Sequence, residues 1–119
     1  MPHATPEIDL DRFATAHSNG VQVVDVREPD EYEAGHVRDA VLMPVGEVAT
    51  RLDELDKAAP VHVICATGNR SATVTEVLIR AGFEAYSVAG GTNGWARLGK
   101  PLDHGLSGPP LTRPGPSRT

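Results

Sequence analysis

The 119-residue chain has little cysteine, no long apolar run and few basic residues, and each scarcity excludes a class of protein. Its single cysteine, Cys65, excludes an intrachain disulfide framework and a metal site with several thiolate ligands. No apolar segment approaches the roughly 20 residues that a membrane-spanning helix needs, so no membrane partner is expected. The first residues have neither a basic start nor an apolar stretch, which argues against a secretory signal and predicts a cytoplasmic location.

Negative charge exceeds positive charge over the chain as a whole. There are 11 Lys and Arg residues against 16 Asp and Glu, which gives a net charge of −5. Nucleic acids and anionic lipids attract basic surfaces, so neither is an expected partner. The histidines and carboxylates show no metal-ligand spacing, and we expect neither a metal nor another cofactor. An apolar fraction of 39% is enough for one folded domain with its own core.

Composition divides the chain into three parts. Residues 103–119 combine Pro and Gly with only two large apolar side chains, Leu106 and Leu111, so a flexible tail is predicted there. Residues 7–102 are predicted to form the folded domain, and residues 1–6 are an N-terminal extension.

Inside the domain, short β-branched runs alternate with helical patterns. Strands are predicted at 21–26, 40–43, 61–65 and 85–88. Helices are predicted at 10–17 and 29–34, over the apolar positions Val48, Leu52 and Leu55, and from an N-cap at Ser71 to a stop at Gly82. This alternation predicts an α/β domain with a mainly parallel sheet covered by helices on both faces, in which ligands bind at the carboxyl ends of strands.

Cys65 falls at the carboxyl end of a predicted strand, before a predicted helix. A loop in this position can curl so that its backbone N–H groups point inward and bind an anion, and the helix N-terminus adds positive potential. Gly68 permits backbone angles that other residues resist. A cysteine in such a loop is expected to be a thiolate at neutral pH, with a pKa in the range ~3.5–7.5. The candidate anion-binding residues are Ala66, Thr67, Gly68, Asn69, Arg70 and Ser71.

Three motifs in order resemble the rhodanese family of sulfurtransferases. The Cys65 loop has four residues between Cys and Arg, followed by Ser. Gly90-Gly91, followed by Trp95, looks like the family's C-terminal signature. Its first signature is matched by Val24-Asp25-Val26-Arg27, Glu31-Tyr32, Gly35-His36-Val37, Ala40 and Pro44.

The resemblance implies a single domain with a five-stranded, mainly parallel sheet and a reaction at Cys65. In that reaction the thiolate takes a sulfane sulfur from thiosulfate or from a persulfide or polysulfide donor, and holds it as a persulfide. A thiophilic acceptor then removes the sulfur. This acceptor is cyanide in the assay and a thiol in the cell, either a small molecule or a protein.

Two other functions remain open on the same fold. One is a binding or regulatory module with little turnover, and the other is an enzyme directed at phosphate or arsenate. Phosphatases that share the fold have one residue more between Cys and Arg, which makes a wider cradle, and they usually need a general acid. The loop here is the shorter one, and its small neutral residues Ala66 and Thr67 leave the donor undetermined.

Several polar residues have a structural interpretation beside a functional one. Arg70 either orients the substrate anion or pairs with a carboxylate such as Asp25 or Glu31. Asp25 and Arg27 support the site by connecting loops through hydrogen bonds and ion pairs. Ser71 is interpreted as a helix cap whose hydroxyl also approaches the sulfur. The remaining polar and aromatic candidates, His36, His62 and Trp95, are interpreted as turn-anchoring, structural and packing residues.

Overall fold

Five parallel strands form one sheet in the order β1-β5-β4-β2-β3. The structure is a computed structural model and describes residues 5–106. The strands are β1 (Glu7–Ile8), β2 (Gln22–Asp25), β3 (Val41–Leu42), β4 (Val61–Ile64) and β5 (Ala85–Val88). The helices are α1 (Leu10–Ser18), α2 (Pro29–Ala34), α3 (Asn69–Arg80) and α4 (Gly91–Arg97). The predicted α/β class and the parallel five-stranded sheet are confirmed.

β4 lies at the centre of the sheet, and all four of its residues are buried. A strand covered on both faces needs apolar residues at every position, which explains its near-continuous apolar sequence. The register pairs Val24 of β2 with Val63 of β4, and Asp25 with Ile64. Because the two strands are parallel and in this register, the segments that follow Asp25 and Ile64 leave the sheet side by side.

Alternating side chains of the strands form two cores on opposite faces of the sheet. Val63 and Cys65 belong to the core that contains Val74 and Leu78 of α3. Ile64 belongs to the other core, which contains Phe13 of α1, Tyr32 of α2 and Trp95 of α4. The single cysteine therefore lies on the face of the sheet that α3 covers.

The prediction of a regular helix over Val48, Leu52 and Leu55 is wrong in the type of helix. The chain forms two 3-10 turns, Val45–Thr50 and Leu52–Glu54, which are interrupted at Arg51. Gly46 and the β-branched residues of this segment favour the α-helix weakly, and short 3-10 turns are common connectors. The apolar positions are nevertheless right, because Val48 is buried and Leu52 and Leu55 pack against the same core.

Two features at the ends of the described residues were not predicted from the sequence. β1 was not predicted from the sequence, because a two-residue strand on the sheet edge leaves no periodic pattern. At the other end, the backbone of Asp103 pairs with that of His36 through two hydrogen bonds of 2.8 Å, and the Gly105 N–H donates to the Glu33 carbonyl.

The predicted division into extension, domain and tail stays a prediction. Residues 1–4 of the extension and 107–119 of the tail lie outside the described residues. No helix within residues 5–106 has both the length and the apolar character needed to cross a membrane.

Candidate active site

The residues that we call the Cys65 loop, 65–71, connect β4 to the first turn of α3. Gly68 has a φ of +124°, a conformation that favours glycine, and it directs the chain into α3, which begins at Asn69. Ser71 therefore lies inside the first turn, and the prediction that it caps α3 is wrong, because Gly68 occupies the cap position. Thr67 and Asn69 are exposed at the rim, and Ala66 is partly buried.

Hydrogen-bond donors converge on the sulfur of Cys65. The Gly68 and Ser71 N–H groups donate to Sγ at 3.0 Å and 3.3 Å. In the third contact, of 3.4 Å, the protonated thiol donates to Ser71 Oγ, and the Ser71 hydroxyl becomes the donor when the sulfur is ionised. Burial raises the pKa of the Cys65 thiol, but hydrogen bonds from the Ser71 hydroxyl and from the amides of Ser71, Gly68 and Thr67 outweigh it. The net result is a pKa below the ordinary value for cysteine. The whole Cys65 residue is only 1% exposed to solvent. The donors therefore act on its sulfur in a medium of low polarity.

Ser87 of β5 forms a second layer behind these donors. Its Oγ lies 2.7 Å from Ser71 Oγ, which also lies 3.2 Å from the Gly68 carbonyl oxygen. Both serines are fully buried. Ser87 was missed in the sequence, where the available signal was a small hydroxyl side chain between Tyr86 and Val88 in a largely buried strand.

The N-terminal turn of α4 fixes the outer side of the Cys65 loop. The Thr92 N–H donates to the Cys65 carbonyl at 2.8 Å, and the Asn93 N–H donates to the Ala66 carbonyl at 3.0 Å. Gly91 has a φ of +59°, and a Cβ there would collide with both carbonyls, 2.5 Å from that of Ala66. Gly91 of the C-terminal signature thus has a steric role that was not predicted from the sequence.

Arg70 points to α2 and forms a bidentate ion pair with Glu31. The two N–O distances are 2.8 Å and 2.9 Å, and the two side chains are 39% and 33% exposed. The Arg70 hydrogen bonds lower the pKa of Glu31 to about 2, and the pair raises the pKa of Arg70 in return. Of the carboxylates considered from the sequence, the partner is Glu31 and not Asp25.

Asp25 and Arg27 form a different pair that solvent hardly reaches. Arg27 Nε and one terminal nitrogen donate to the two Asp25 oxygens at 2.9 Å and 2.8 Å, and that nitrogen also donates to the Gly35 carbonyl. The Asp25 side chain is fully buried and that of Arg27 is 6% exposed. The pair holds the segment after β2 against the start of the Gly35-His36 segment.

The other candidates lie apart from the sulfur. His62 precedes Cys65 by three residues on β4, so strand alternation places its side chain on the opposite face, where it packs against Phe13 and Tyr86. His36 stacks on Tyr32 and hydrogen-bonds its carbonyl through Nδ1. Trp95 donates its indole N–H to the Pro101 carbonyl.

This geometry defines a buried sulfur with a lowered pKa that faces backbone donors at the end of a parallel sheet, and comparison with known proteins assigns the chain to a family. Residues 11–98 match the family described as the rhodanese-like domain, and the chain belongs to that family. The match covers the Cys65 loop and both of the flanking ion pairs.

Individual relatives include a thiosulfate sulfurtransferase and a protein named as a sulfur carrier. It is 36% identical over 87 residues to the thiosulfate sulfurtransferase GlpE of Actinobacillus pleuropneumoniae, covering 72% of this chain and 81% of that protein. It is 33% identical to YrkF of Bacillus subtilis, which is named as a sulfur carrier, over 76% of this chain but only half of YrkF. The crystal structure of a rhodanese-related protein from Thermoplasma volcanium has a TM-score of 0.76 and 30% identity, covering 86% of this chain and 99% of that one.

Proposed function

We propose that the protein is a sulfurtransferase that carries sulfur as a persulfide on Cys65. The observation that carries this proposal is the convergence of the Gly68 and Ser71 amides and the Ser71 hydroxyl on Sγ. These donors stabilise an anion centred on one atom, which both a thiolate and a persulfide provide. Membership of the rhodanese-like family and similarity to a thiosulfate sulfurtransferase support the same chemistry.

In the first half-reaction the Cys65 thiolate attacks the outer sulfur of the donor. With thiosulfate, a new S–S bond forms to Cys65 while the S–S bond of thiosulfate breaks, and sulfite leaves with the electron pair of that bond. When the thiolate form attacks, no proton is transferred, because sulfite is a stable anion. The lowered pKa of Cys65 increases the fraction of the reactive thiolate form, which favours attack without a neighbouring base.

The persulfide that results carries its charge on the terminal sulfur. We propose that the remaining amides of the Cys65 loop bind this atom, since the first amides of a helix have no intrahelical partner. Ala66, Thr67, Gly68, Asn69, Arg70 and Ser71 are the proposed binding residues, and Asp25 and Arg27 are proposed to support the loop through the buried pair.

In the second half-reaction a thiophilic acceptor attacks the terminal sulfur and returns Cys65 to the thiolate. A small thiol or a protein thiol is the acceptor class that fits the proposal, and cyanide replaces it in the assay, giving thiocyanate. A free, ionised thiol functions in a reducing compartment, so we place the reaction in the cytoplasm.

The proposal is tested by the intact mass of the protein after incubation with thiosulfate. We expect a gain of one sulfur atom that is lost when cyanide is added, and neither change in Cys65→Ser, which contains no thiol. Thiocyanate production is measured on the same preparations. Turnover by pure Cys65→Ser would overturn the persulfide mechanism.

The same preparations distinguish the two other functions. A persulfide that forms without appreciable turnover would point to a binding or regulatory module. Hydrolysis of an aryl phosphate that depends on Cys65, with no persulfide, would assign the site to phosphoryl chemistry instead.

A further inference from the structure

Arg70 is the only cationic residue of the Cys65 loop, and its charge is already neutralised. Two of its nitrogens donate to the two Glu31 oxygens at 2.8 Å and 2.9 Å. Because both carboxylate oxygens are engaged by parallel hydrogen bonds, the guanidinium has a fixed partner even though part of the side chain remains exposed to solvent. A donor anion that used Arg70 would have to share it with Glu31.

Glu31 is held in this position by its own helix as well as by Arg70. Its Oε1 accepts a hydrogen bond of 2.9 Å from the Glu28 N–H, which completes the capping box at the start of α2. Arg70 holds its pKa at about 2, so the carboxylate is charged throughout the neutral range. Glu31 therefore remains ionised and in place to neutralise Arg70 beside the loop.

The charges around the sulfur leave no positive surplus for a second negative charge on the donor. Asp25 and Arg27 cancel each other, as do Glu31 and Arg70, and the Cys65 thiolate remains uncompensated. The exposed residues of the rim, Thr67 and Asn69, are neutral. The amide donors are directed at Sγ itself, which suits one anionic sulfur and not a distant anionic group.

We propose that Glu31 determines donor specificity, by selecting sulfur donors with a single negative charge over dianions such as thiosulfate. The inference rests on the proposed sulfur transfer through Cys65 and adds the charge class of the donor. Because Glu31 neutralises Arg70, the loop offers no cationic side chain to attract the additional charge of a dianion, so kcat/KM for that donor is lower than it would be with Arg70 unpaired.

The test compares two donors that differ mainly in charge, thiosulfate and methanethiosulfonate. In methanethiosulfonate a methyl group replaces one anionic oxygen, so the ion has one negative charge. Attack by the Cys65 thiolate transfers its outer sulfur and releases methanesulfinate, just as thiosulfate releases sulfite. Cyanide is the acceptor in both assays, and kcat/KM is measured for each donor.

Glu31→Gln removes the charge while its amide oxygen can still accept the Glu28 hydrogen bond. We expect the ratio of kcat/KM for thiosulfate to that for methanethiosulfonate to rise on the order of three- to tenfold in this variant. The two donors differ in intrinsic reactivity, and comparing the ratio between variants cancels that difference. Glu31→Asp, which keeps the charge, should retain the wild-type ratio.

The matched control is Glu54→Gln. In the wild type Glu54 forms a bidentate pair with Arg51, in the turn that precedes β4 in the sequence. The substitution changes the net charge of the protein equally, and its ratio should equal that of the wild type. An unchanged ratio in Glu31→Gln, or an equal rise in Glu54→Gln, would overturn the role of Glu31 but leave the persulfide mechanism standing. Failure of the wild type to form a Cys65 persulfide with either donor would overturn the proposed function, and this inference with it.

Discussion

Two arginine–carboxylate pairs lie beside the Cys65 loop and have the same chemistry but different surroundings. The buried pair, Asp25–Arg27, is enclosed by the protein, with side chains that are 0% and 6% exposed. The exposed pair, Glu31–Arg70, has between a third and two fifths of each side chain in contact with solvent. Both pairs are bidentate, with N–O distances between 2.8 Å and 2.9 Å.

The difference shows that contact geometry alone does not determine what an ion pair contributes. Removing one partner of a buried pair leaves a charge that water cannot reach, which is costly even where the intact pair adds little net stability. Removing one partner of an exposed pair leaves a charge that water solvates. We therefore expect the buried pair to govern folding, and the exposed pair to govern the potential that an incoming donor meets.

The largest effect is expected from Arg27→Met. The substitution leaves the Asp25 carboxylate buried without its partner and removes the hydrogen bond to the Gly35 carbonyl. The free energy of unfolding should fall by about 3–5 kcal/mol, as measured by urea denaturation.

The corresponding change in the exposed pair, Arg70→Met, provides the comparison. It should cost less than about 1 kcal/mol in the same measurement. Equal losses in the two variants would refute the distinction between the pairs. Adding Asp25→Asn to Arg27→Met should recover part of the loss, because the unpaired charge is then removed.

An intermediate effect is expected on the ionisation of Cys65. Ser71→Ala removes the buried hydroxyl beside Sγ, and burial, which raises the pKa of the thiol, is then less opposed. A hydrogen bond to a charged group contributes ~1.5–3 kcal/mol, so the pKa of Cys65 should rise by about 1–2 units.

Ultraviolet absorbance of the thiolate, followed against pH, measures this change. Arg70→Met should raise the pKa of Cys65 less than Ser71→Ala does, since Glu31 already neutralises the guanidinium. A larger shift in Arg70→Met would show that the exposed cation, and not the buried hydroxyl, controls the thiolate.

The smallest effect concerns the stability of the exposed pair and its dependence on pH. The pKa of Glu31 is lowered from 4.5 to about 2, chiefly by Arg70, so its contribution to stability is fully present above the ordinary value and is lost as pH falls towards 2. Solvent exposure keeps this contribution below about 1 kcal/mol. The free energy of unfolding of the wild type should therefore be slightly higher than that of Glu31→Gln at neutral pH. Urea denaturation at decreasing pH should show the two free energies converging. A difference that persists at the acid end would contradict this assignment.

Much of the fold was predictable because its signals are local. The runs that became β2, β4 and β5 are β-branched or apolar, and the glycine between Cys65 and α3 marks a turn into a helix. The spacing of apolar residues in the segment 45–55 was misleading. Such spacing indicates which residues are buried, but it does not distinguish an α-helix from successive 3-10 turns.

The candidate site was predictable in its centre but not in its surroundings. Cys65 and its loop are contiguous in sequence, so their arrangement follows from one strand, one glycine and one helix. The contacts of Ser71 with Ser87 and of Gly91 with the Ala66 carbonyl join segments that only the tertiary fold brings together. The choice of Glu31 over Asp25 as partner of Arg70 likewise depended on Arg27, which already occupies Asp25.

The contact between α4 and the Cys65 loop also has a consequence for the energy of reorganisation. Because Thr92 and Asn93 hold the carbonyls of Cys65 and Ala66 on the outer side, these peptide dipoles have their orientation before any donor arrives. In solution, water molecules would have to reorient around each new anion. The peptide dipoles of the loop are oriented during folding and do not have to reorient when the anion forms. The conformational entropy of the loop is likewise lost once, at folding, and not again at each turnover.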